Sequence, residues 1–423
     1  MTRYRTPKLG AYSALAAAGL LAALLFGKPA AVVLAIPFAL VAMLGLALAA
    51  EPALNVEVRL DRDRILVGEE AVLEVRVTAL MPTTGLEVTP RLADSVVVAG
   101  GALPRQEALG TGEERCIEMR ITARSWGSYD AGSVLLRARD GFGLFLFERL
   151  VVSTLQLRVY PRPESVRALL APRDTQANAG NTVARDKGDG IEFADIRRFE
   201  PGDHARHVNW RVSARRGELH VNQHHPERNT DVVIFIDTFA EVGMGRRTTL
   251  DLAVRAAASL AHSYLRTRDR VGLIAFGGVV RWVGPGVGMI QLYRLMDSLL
   301  DTRVVSSYAW KGIDVIPRGS LPAKALLLAL SPLLDPRTIA ALLDVRGRGF
   351  DVAVVELDPL AMVPSRGDER GEMAYRLWGL ERDAMRARLQ VAGIPVAGWN
   401  DERPLEAVLE EVRSSRRSAR ALV

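Results

Sequence analysis

Two apolar runs open this chain, residues 9–26 and 30–50, and neither contains an Asp, Glu, Lys or Arg. Only Gly27-Lys28-Pro29 separates them. Each approaches the ~20 residues with which a helix crosses the hydrocarbon of a bilayer. Pro37 falls inside the second run. A membrane helix tolerates it, because neighbouring groups can satisfy the freed carbonyl. Residues 1–51 are therefore expected to form a transmembrane helical hairpin embedded in the lipid bilayer. Arg3, Arg5 and Lys8 precede the first run, whereas the turn carries Lys28 alone. The excess of basic residues places the N-terminus in the cytoplasm. Two crossings would return the rest of the chain there. The expectation is a multi-pass protein of the cell membrane with cytoplasmic soluble domains. A cleaved signal peptide is the rival reading, but the second run of equal length weighs against it.

The 423 residues leave room for two or three domains. Lys and Arg total 55 against 49 Asp and Glu, so the net charge of +6 is a small excess over largely balanced ion pairs. Aromatic residues are 6% of the chain, too few for the stacking platforms of a nucleic-acid binder, and no such partner is expected. The single Cys116 excludes an intrachain disulfide.

Residues 52–160 read as β structure. Apolar and polar residues alternate over residues 56–60, 72–77 and 117–121, and more loosely over 134–139. Short strands at this spacing suggest an antiparallel, immunoglobulin-like sandwich. Asp140-Gly141-Phe142-Gly143-Leu144-Phe145 reads as a turn whose aromatics pack in the core. Residues 161–230 form a connector, with a short helix expected over 164–170. From residue 231 to 423 the pattern alternates between strand and helix. Strands are expected at 232–236, 271–276, 279–283, 325–330, 352–357 and 394–397. Helices follow residue 248, then cover 289–300, 337–348, 372–391 and 405–413. Alternation of this kind implies a mostly parallel, doubly wound α/β sheet covered on both faces.

Within the connector lies Gly202-Asp203-His204-Ala205-Arg206-His207-Val208-Asn209-Trp210-Arg211-Val212-Ser213-Ala214-Arg215. It is too polar for core and too aromatic for an ordinary loop. An apolar strand ending in Asp237 follows. The order G-D-x-x-R-x-x-x-W-x-x-S-A-R, then a strand closed by Asp, resembles the domain-of-unknown-function 58 family. The resemblance implies a von Willebrand factor A-like domain behind a membrane anchor and, as partner class, an AAA+ ATPase of the MoxR type. It implies a scaffold or adaptor rather than an enzyme. Gly202, Asp203, Arg206, Trp210, Ser213 and Arg215 are the motif and docking candidates. In a purely architectural role, Asp203 caps a helical turn with Arg206 on the same face. Trp210 then buries its ring, and Ser213 and Arg215 tie the segment to a sheet edge.

Domains of the von Willebrand A type hold a divalent cation where this chain has Asp237, at a loop that reads D-x-S-x-S. Here the loop is Asp237-Thr238-Phe239-Ala240-Glu241. Phe239 cannot ligate a cation. Asp237, Glu241 and Ser331 remain as oxygen donors for a degenerate Mg²⁺ site, with Thr302, Ser306 and Ser307 nearby in sequence order. In the bland alternative, Asp237 accepts hydrogen bonds from its own loop. Five histidines, His204, His207, His220, His224 and His225, crowd one segment. They offer imidazoles to zinc, yet no cysteine lies near and H-E-x-x-H is absent. A metal-dependent ligand-binding domain or hydrolase using Asp237 and these histidines is the rival function. No G-x-S-x-G elbow supports nucleophilic catalysis.

Overall fold

The computed structural model describes residues 1–27, 30–100, 105–172, 192–201, 203–225, 231–245, 247–304, 316, 321–322, 324–363 and 367–421. The chain divides into two compact units, Met1–Pro161 and Arg162–Val423.

The first unit begins with β1 (Thr2–Arg5), α1 (Pro7–Phe26) and α2 (Ala30–Leu48). Ten strands follow: β2 (Leu54–Leu60), β3 (Arg64–Leu66), β4 (Glu70–Ala79), β5 (Thr83–Pro90), β6 (Val96–Val98), β7 (Arg105–Leu109), β8 (Glu114–Ala123), β9 (Gly127–Asp130), β10 (Val134–Arg139) and β11 (Phe145–Val151). β12 (Gln156–Tyr160) closes the unit. One sheet has the order β1-β11-β10-β5-β7, a second β2-β4-β8-β6, and a third β3-β12-β9. The alternation in β4 is physical: Ala71, Leu73, Val75, Val77 and Ala79 are all buried while their neighbours are partly open. They share one core with Leu86 and Val88 of β5, Ile117, Met119 and Ile121 of β8, and Leu136 of β10. Two sheets closing on one apolar layer make a sandwich.

The basic N-terminal flank is not a loose tail. β1 pairs antiparallel with β11, Arg3 opposite Phe147 and Arg5 opposite Phe145. The Arg3 guanidinium lies over the Phe145 ring, 3.6 Å from its centre. Thr6 donates from its N–H to the carbonyl of Leu144 at 3.0 Å. That carbonyl belongs to the turn at residues 140–145, where Asp140 accepts from the Phe145 N–H at 2.6 Å. Leu144 and Phe145 are core, as expected, but Phe142 is exposed. α1 and α2 pack closely at Gly19, where an added Cβ would stand 2.8 Å from that of Ala35. Small residues allow two helices to approach this closely. Pro7–Phe26 is long and apolar enough to cross a membrane; the apolar part of α2, Val32–Leu48, is shorter.

The second unit opens with a segment without regular secondary structure, not the helix expected over residues 164–170. The reason is competition for its backbone donors. Glu164 N–H donates to Ser259 Oγ at 2.9 Å, Val166 N–H to Ser263 Oγ at 3.2 Å, and Leu170 N–H to the Tyr264 hydroxyl at 3.0 Å. Tyr264 returns a bond to the Leu170 carbonyl at 2.8 Å. Side chains of one helix thus take the bonds that a local helix would have made. Part of the expected connector, including Gly188-Asp189-Gly190, lies outside the described residues.

β13 (Glu192–Arg198), α3 (Trp210–Arg216) and β14 (His220–His225) form an arm ahead of the main sheet. The sheet region comprises β15 (Asp231–Thr238), the short β16 (Gly243–Met244) and β17 (Arg247–Thr248), and α4 (Thr249–Arg266). It continues through β18 (Arg270–Gly277), β19 (Arg281–Gly286), α5 (Gly288–Leu300), β20 (Leu326–Ser331) and α6 (Pro336–Gly347). β21 (Asp351–Leu357), α7 (Glu369–Val391), β22 (Val396–Trp399) and α8 (Leu405–Ala421) complete it. Thr248, Asp335 and Asp368 cap α4, α6 and α7, each accepting a backbone N–H of the first turn.

The six-stranded sheet runs β19-β18-β15-β20-β21-β22. Every pairing is parallel except that of the edge strand β19. Val233 and Phe235 point to one core layer with Ile339, Leu342 and Val345 of α6. Val232, Ile234 and Ile236 alternate with them and are equally buried. Both faces are therefore covered, as a parallel sheet requires. The strand order reverses between β15 and β20, the point in such sheets where ligands bind beyond the carboxyl ends.

Candidate functional site

Asp237 and Ser331 stand at that reversal, near the ends of β15 and β20. The structure joins them: Ser331 Oγ donates to Asp237 Oδ2 at 2.6 Å, and the Phe239 N–H donates to Oδ1 at 3.0 Å. Ser331 Oγ also accepts from the Leu333 N–H at 2.8 Å. Glu241, the third candidate ligand, is exposed, whereas Asp237 is 3% and Ser331 0% exposed. Thr302 is buried and donates to the Ser298 carbonyl at 3.0 Å, a helix-end bond. Ser306 and Ser307 lie outside the described residues.

Two residues missed by sequence reasoning complete this cluster. Thr338, on the first turn of α6, is fully buried. Its hydroxyl makes no hydrogen bond of normal length, yet it faces the Asp237 carboxylate closely enough to favour its charged form. Arg337 stacks its guanidinium 4.0 Å from the centre of the Phe239 ring and pairs with both oxygens of Asp335, at 2.9 and 2.7 Å. Phe239 meets Phe276 edge-on at 5.2 Å. The Phe239 ring thus serves as the floor for a cation supplied by the chain itself.

Burial dominates the electrostatics of Asp237 and pushes its carboxyl from 3.8 up to about 6. The bonds from Ser331 and Phe239 and the nearby Thr338 hydroxyl oppose that rise, and the charge of Asp335 adds to it. Asp335 itself is held below its ordinary value, chiefly by the Arg337 guanidinium. Asp237, Ser331 and Thr338 offer three protein oxygens. A Mg²⁺ ion demands six in an octahedron and usually retains several waters.

The polar motif folds into the β13–α3–β14 arm. Gly202 and the side chain of Arg206 lie outside the described residues. Asp203 does not cap the turn that follows; a guanidinium takes it instead. Arg197 donates to both its oxygens at 2.8 Å, and the Glu200 N–H donates at 2.9 Å. The pairing depends on a reverse turn that sequence spacing does not reveal.

Trp210 departs most from expectation: its side chain is 66% exposed rather than buried. It occupies the first position of α3, a helix of one face only. Asn209, just before it, is the hub. Asn209 caps α3 by accepting the Val212 N–H at 3.1 Å, donates from Nδ2 to Asn222 at 2.8 Å, and bonds the His220 carbonyl through its own N–H at 2.8 Å. Ser213 is buried, donates to the Asn209 carbonyl at 2.8 Å and accepts the His220 N–H at 2.9 Å. Arg215 is exposed and shares the outer face with Trp210, Arg211 and Ala214.

The histidines separate. His204 and His207 lie with ring centres 6.2 Å apart, while His220 is buried with Nδ1 against the Glu218 carbonyl. The side chains of His224 and His225 lie outside the described residues. Among the described residues, no group of three or more His, Cys, Asp and Glu side chains is placed to hold a metal ion.

Residues 195–368 match the family described as "Protein of unknown function DUF58". The uncharacterized protein YeaD of Bacillus subtilis is 25% identical over 144 residues, covering 34% of this chain and 35% of that protein. The uncharacterized protein Rv1480 of Mycobacterium tuberculosis is 33% identical over 123 residues, 28% of this chain and 39% of the relative. The chain thus spans between 35% and 39% of the length of these curated relatives. Among solved structures, a FixG-related protein from Vibrio parahaemolyticus aligns over 26% of this chain and 98% of its own, at 12% identity and TM-score 0.18. The CARDB domain of the PF1109 protein from Pyrococcus furiosus, solved with di-metal ions, aligns over 26% and 93%, at 19% identity and TM-score 0.17.

The raised pKa of Asp237 makes a pH prediction. The native state binds this proton more tightly than the unfolded chain. Its advantage is intact below about pH 4 and is lost as pH rises through about 6. The shift corresponds to about 3 kcal/mol of stability forfeited at neutral pH. Asp237→Asn should flatten the melting temperature between pH 4 and 7 and should melt higher than the parent at pH 7.5. A variant that retains the parental pH slope would remove Asp237 as its source.

Proposed function

We propose that this chain is a membrane-anchored, cytoplasm-facing adaptor whose β13–α3–β14 arm docks a protein partner. In this reading its α/β region is a von Willebrand A-like domain. The strand order and the antiparallel edge strand β19 support that reading, as does the family match. The exposure of Trp210 carries the docking assignment. Its helix is held from beneath by Asn209, Ser213 and His220, so the indole is presented rather than merely loose. Trp and Arg dominate the energetic centres of protein interfaces. Trp210, Arg211 and Arg215 together suit a partner surface that is apolar with an acidic rim. An AAA+ ATPase of the MoxR type is the partner class that the family resemblance implies.

Pairing of β1 with β11 supports the hairpin topology. Residues before α1 and residues after α2 belong to one sheet, so they occupy the same side of any bilayer. The number of crossings between them is then even. If α1 crosses, α2 crosses as well; its 19 residues reach roughly 28 Å at 1.5 Å per residue. The basic residues Arg3, Arg5 and Lys8 support a cytoplasmic side for both ends.

One observation favours the second reading, a cation-dependent ligand site. The buried Thr338 hydroxyl faces the Asp237 carboxylate, which also holds Ser331, so three protein oxygens converge at one point. Against this stand Phe239 in place of a ligand, the closed burial of Asp237 and Ser331, and the Arg337 cation on the same loop cluster. The adaptor reading therefore stands first.

Trp210→Ala should leave the melting temperature of the full chain nearly unchanged, because an exposed ring contributes little to folding, and should abolish co-purification of the partner from native membranes. Asp203→Ala should instead lower stability by about 1–3 kcal/mol, since it strips the acceptor from Arg197 and from a backbone N–H. Retention of every bound protein by Trp210→Ala would end the docking assignment.

Cys116 is exposed on β8 and reports topology. A membrane-impermeant maleimide should leave it unlabelled in intact cells and label it after permeabilisation. Labelling in intact cells would overturn the cytoplasmic assignment.

Titration of Mg²⁺ into the detergent-solubilised chain should give no saturable heat at micromolar concentrations. Stoichiometric binding lost in Asp237→Ala would promote the cation-dependent reading over the adaptor.

A further inference from the structure

α7 is a 23-residue helix with two apolar stripes on opposite sides. The inner stripe, residues 375, 378, 382, 385 and 389, faces the sheet: Arg382 and Leu389 are buried and the other three are partly buried. The outer stripe is Met373, Leu377, Leu380, Ala384, Ala387 and Val391, and all six are exposed. Leu377 is 57%, Leu380 65% and Val391 90% open. A surface helix normally turns charged residues outward. The spacing of this stripe is four, three, four, three, four, the heptad seam of a coiled coil. It extends roughly 27 Å along the helix.

We infer that the outer face of α7 docks against the same helix of a second copy of this chain, as a parallel, in-register two-stranded coiled coil. The charges beside the seam select that occupant. In a parallel pair, the residue just before one seam position faces the residue five further along the partner helix. That rule sets Arg376 against Glu381 of the second copy and Asp383 against Arg388, with both pairs repeated by symmetry. All four ion pairs join opposite charges. Run antiparallel about its centre, the seam would bring Glu381 against Glu381 and Asp383 against Asp383. An anionic lipid surface would want a uniformly basic flank, and this flank alternates in sign. Among the described residues, no ion pair engages Arg376, Glu381 or Arg388. Asp383 holds Arg386 at 3.1 Å in a solvated pair that can exchange.

The seam is shorter than three full heptads, too short for free peptides to pair strongly. Here the helix already exists, fixed by its inner face, so its nucleation cost falls outside the association step. Ala384 and Ala387 let the two backbones approach closely at the C-terminal half, and Met373, Leu377 and Leu380 supply the apolar area at the other.

The test uses the full chain carrying Cys116→Ser. Leu377→Cys should cross-link to itself in native membranes, because an in-register parallel pair places equal positions together. Cross-linking only between Leu377→Cys and Ala387→Cys chains would show an antiparallel pair and overturn the proposal. In detergent, sedimentation equilibrium should show a dimer. Glu381→Arg should weaken it about tenfold by turning two attractive pairs repulsive. Arg376→Glu added to Glu381→Arg should restore the parental dissociation constant. Both sites are exposed, and an unchanged melting temperature will confirm the fold. A monomer without cross-links, or weakening that the second substitution fails to repair, refutes the second copy as occupant; it would leave another protein or a lipid surface on this face.

Discussion

The carboxylate of Glu356 is the constraint around which the α/β unit is organised. It is fully buried at the penultimate position of β21, beside Ser331 in the neighbouring strand. A buried charge is tolerated only with partners in good geometry. Arg382 and Arg386 of α7 supply them. Arg382 then spends its remaining donors on the carbonyls of Pro332 and Leu333. Those carbonyls belong to the loop that leaves β20, where Leu333 holds a φ of +50° without being glycine. The loop is thereby fixed in a conformation a leucine rarely adopts, and its N–H reaches Ser331 Oγ, which in turn reaches Asp237. A chain of contacts thus runs from an inner ion pair to the site. Removing Arg382 would leave the buried Glu356 with Arg386 as its charged partner and would take the donors from the Pro332 and Leu333 carbonyls, freeing the loop that places Ser331.

The same ion pairs explain the two-sided character of α7. Its inner face is held by charge as much as by apolar contact: only Arg382 and Leu389 are fully buried along it. A helix anchored in this way does not need its leucines underneath. Leu377 and Leu380 are available to the outside.

How much of this is legible in the sequence depends on the range of the interaction. Alternation over residues 72–77 and the Asp335-Pro336 pair are local signals, and both β4 and the cap of α6 follow them. The mostly parallel character of the sheet also follows from the alternation of strands and helices. Long-range partners are illegible. The segment at 164–170 has helical composition, but Ser259, Ser263 and Tyr264 of α4 take its donors from nearly a hundred residues away. Trp210 reads as core because indoles usually are; nothing in its neighbours says that Asn209 and Ser213 already fill the space beneath α3. Asp203 finds Arg197 because a turn brings β13 back to it. Asp237 and Ser331 are legible as a pair from their places at strand ends, whereas Glu241 is not distinguishable from a ligand until its exposure is seen. Heptad spacing in α7 is written in the sequence, but periodicity alone cannot say which of two apolar stripes the sheet covers.

Asp237 and Trp210 share a physical trait. Each occupies a position at which folding alone favours another residue. An uncharged side chain of similar shape at position 237 would avoid about 3 kcal/mol of penalty at neutral pH. A charged or small residue at position 210 would avoid wetting an indole, whose burial elsewhere is worth several times the thermal energy. Their settings differ in a way that separates their roles. Asp237 is sealed, and its oxygens are taken by Ser331 and Phe239, so its influence acts through the loops after β15 and β20. Trp210 is open, and Asn209 and Ser213 fix its helix from beneath. The sealed carboxylate suits a group that biases loop conformation, while the open indole suits the contact itself. In the proposed adaptor reading, recognition belongs to the arm and not to the strand ends at Asp237 and Ser331.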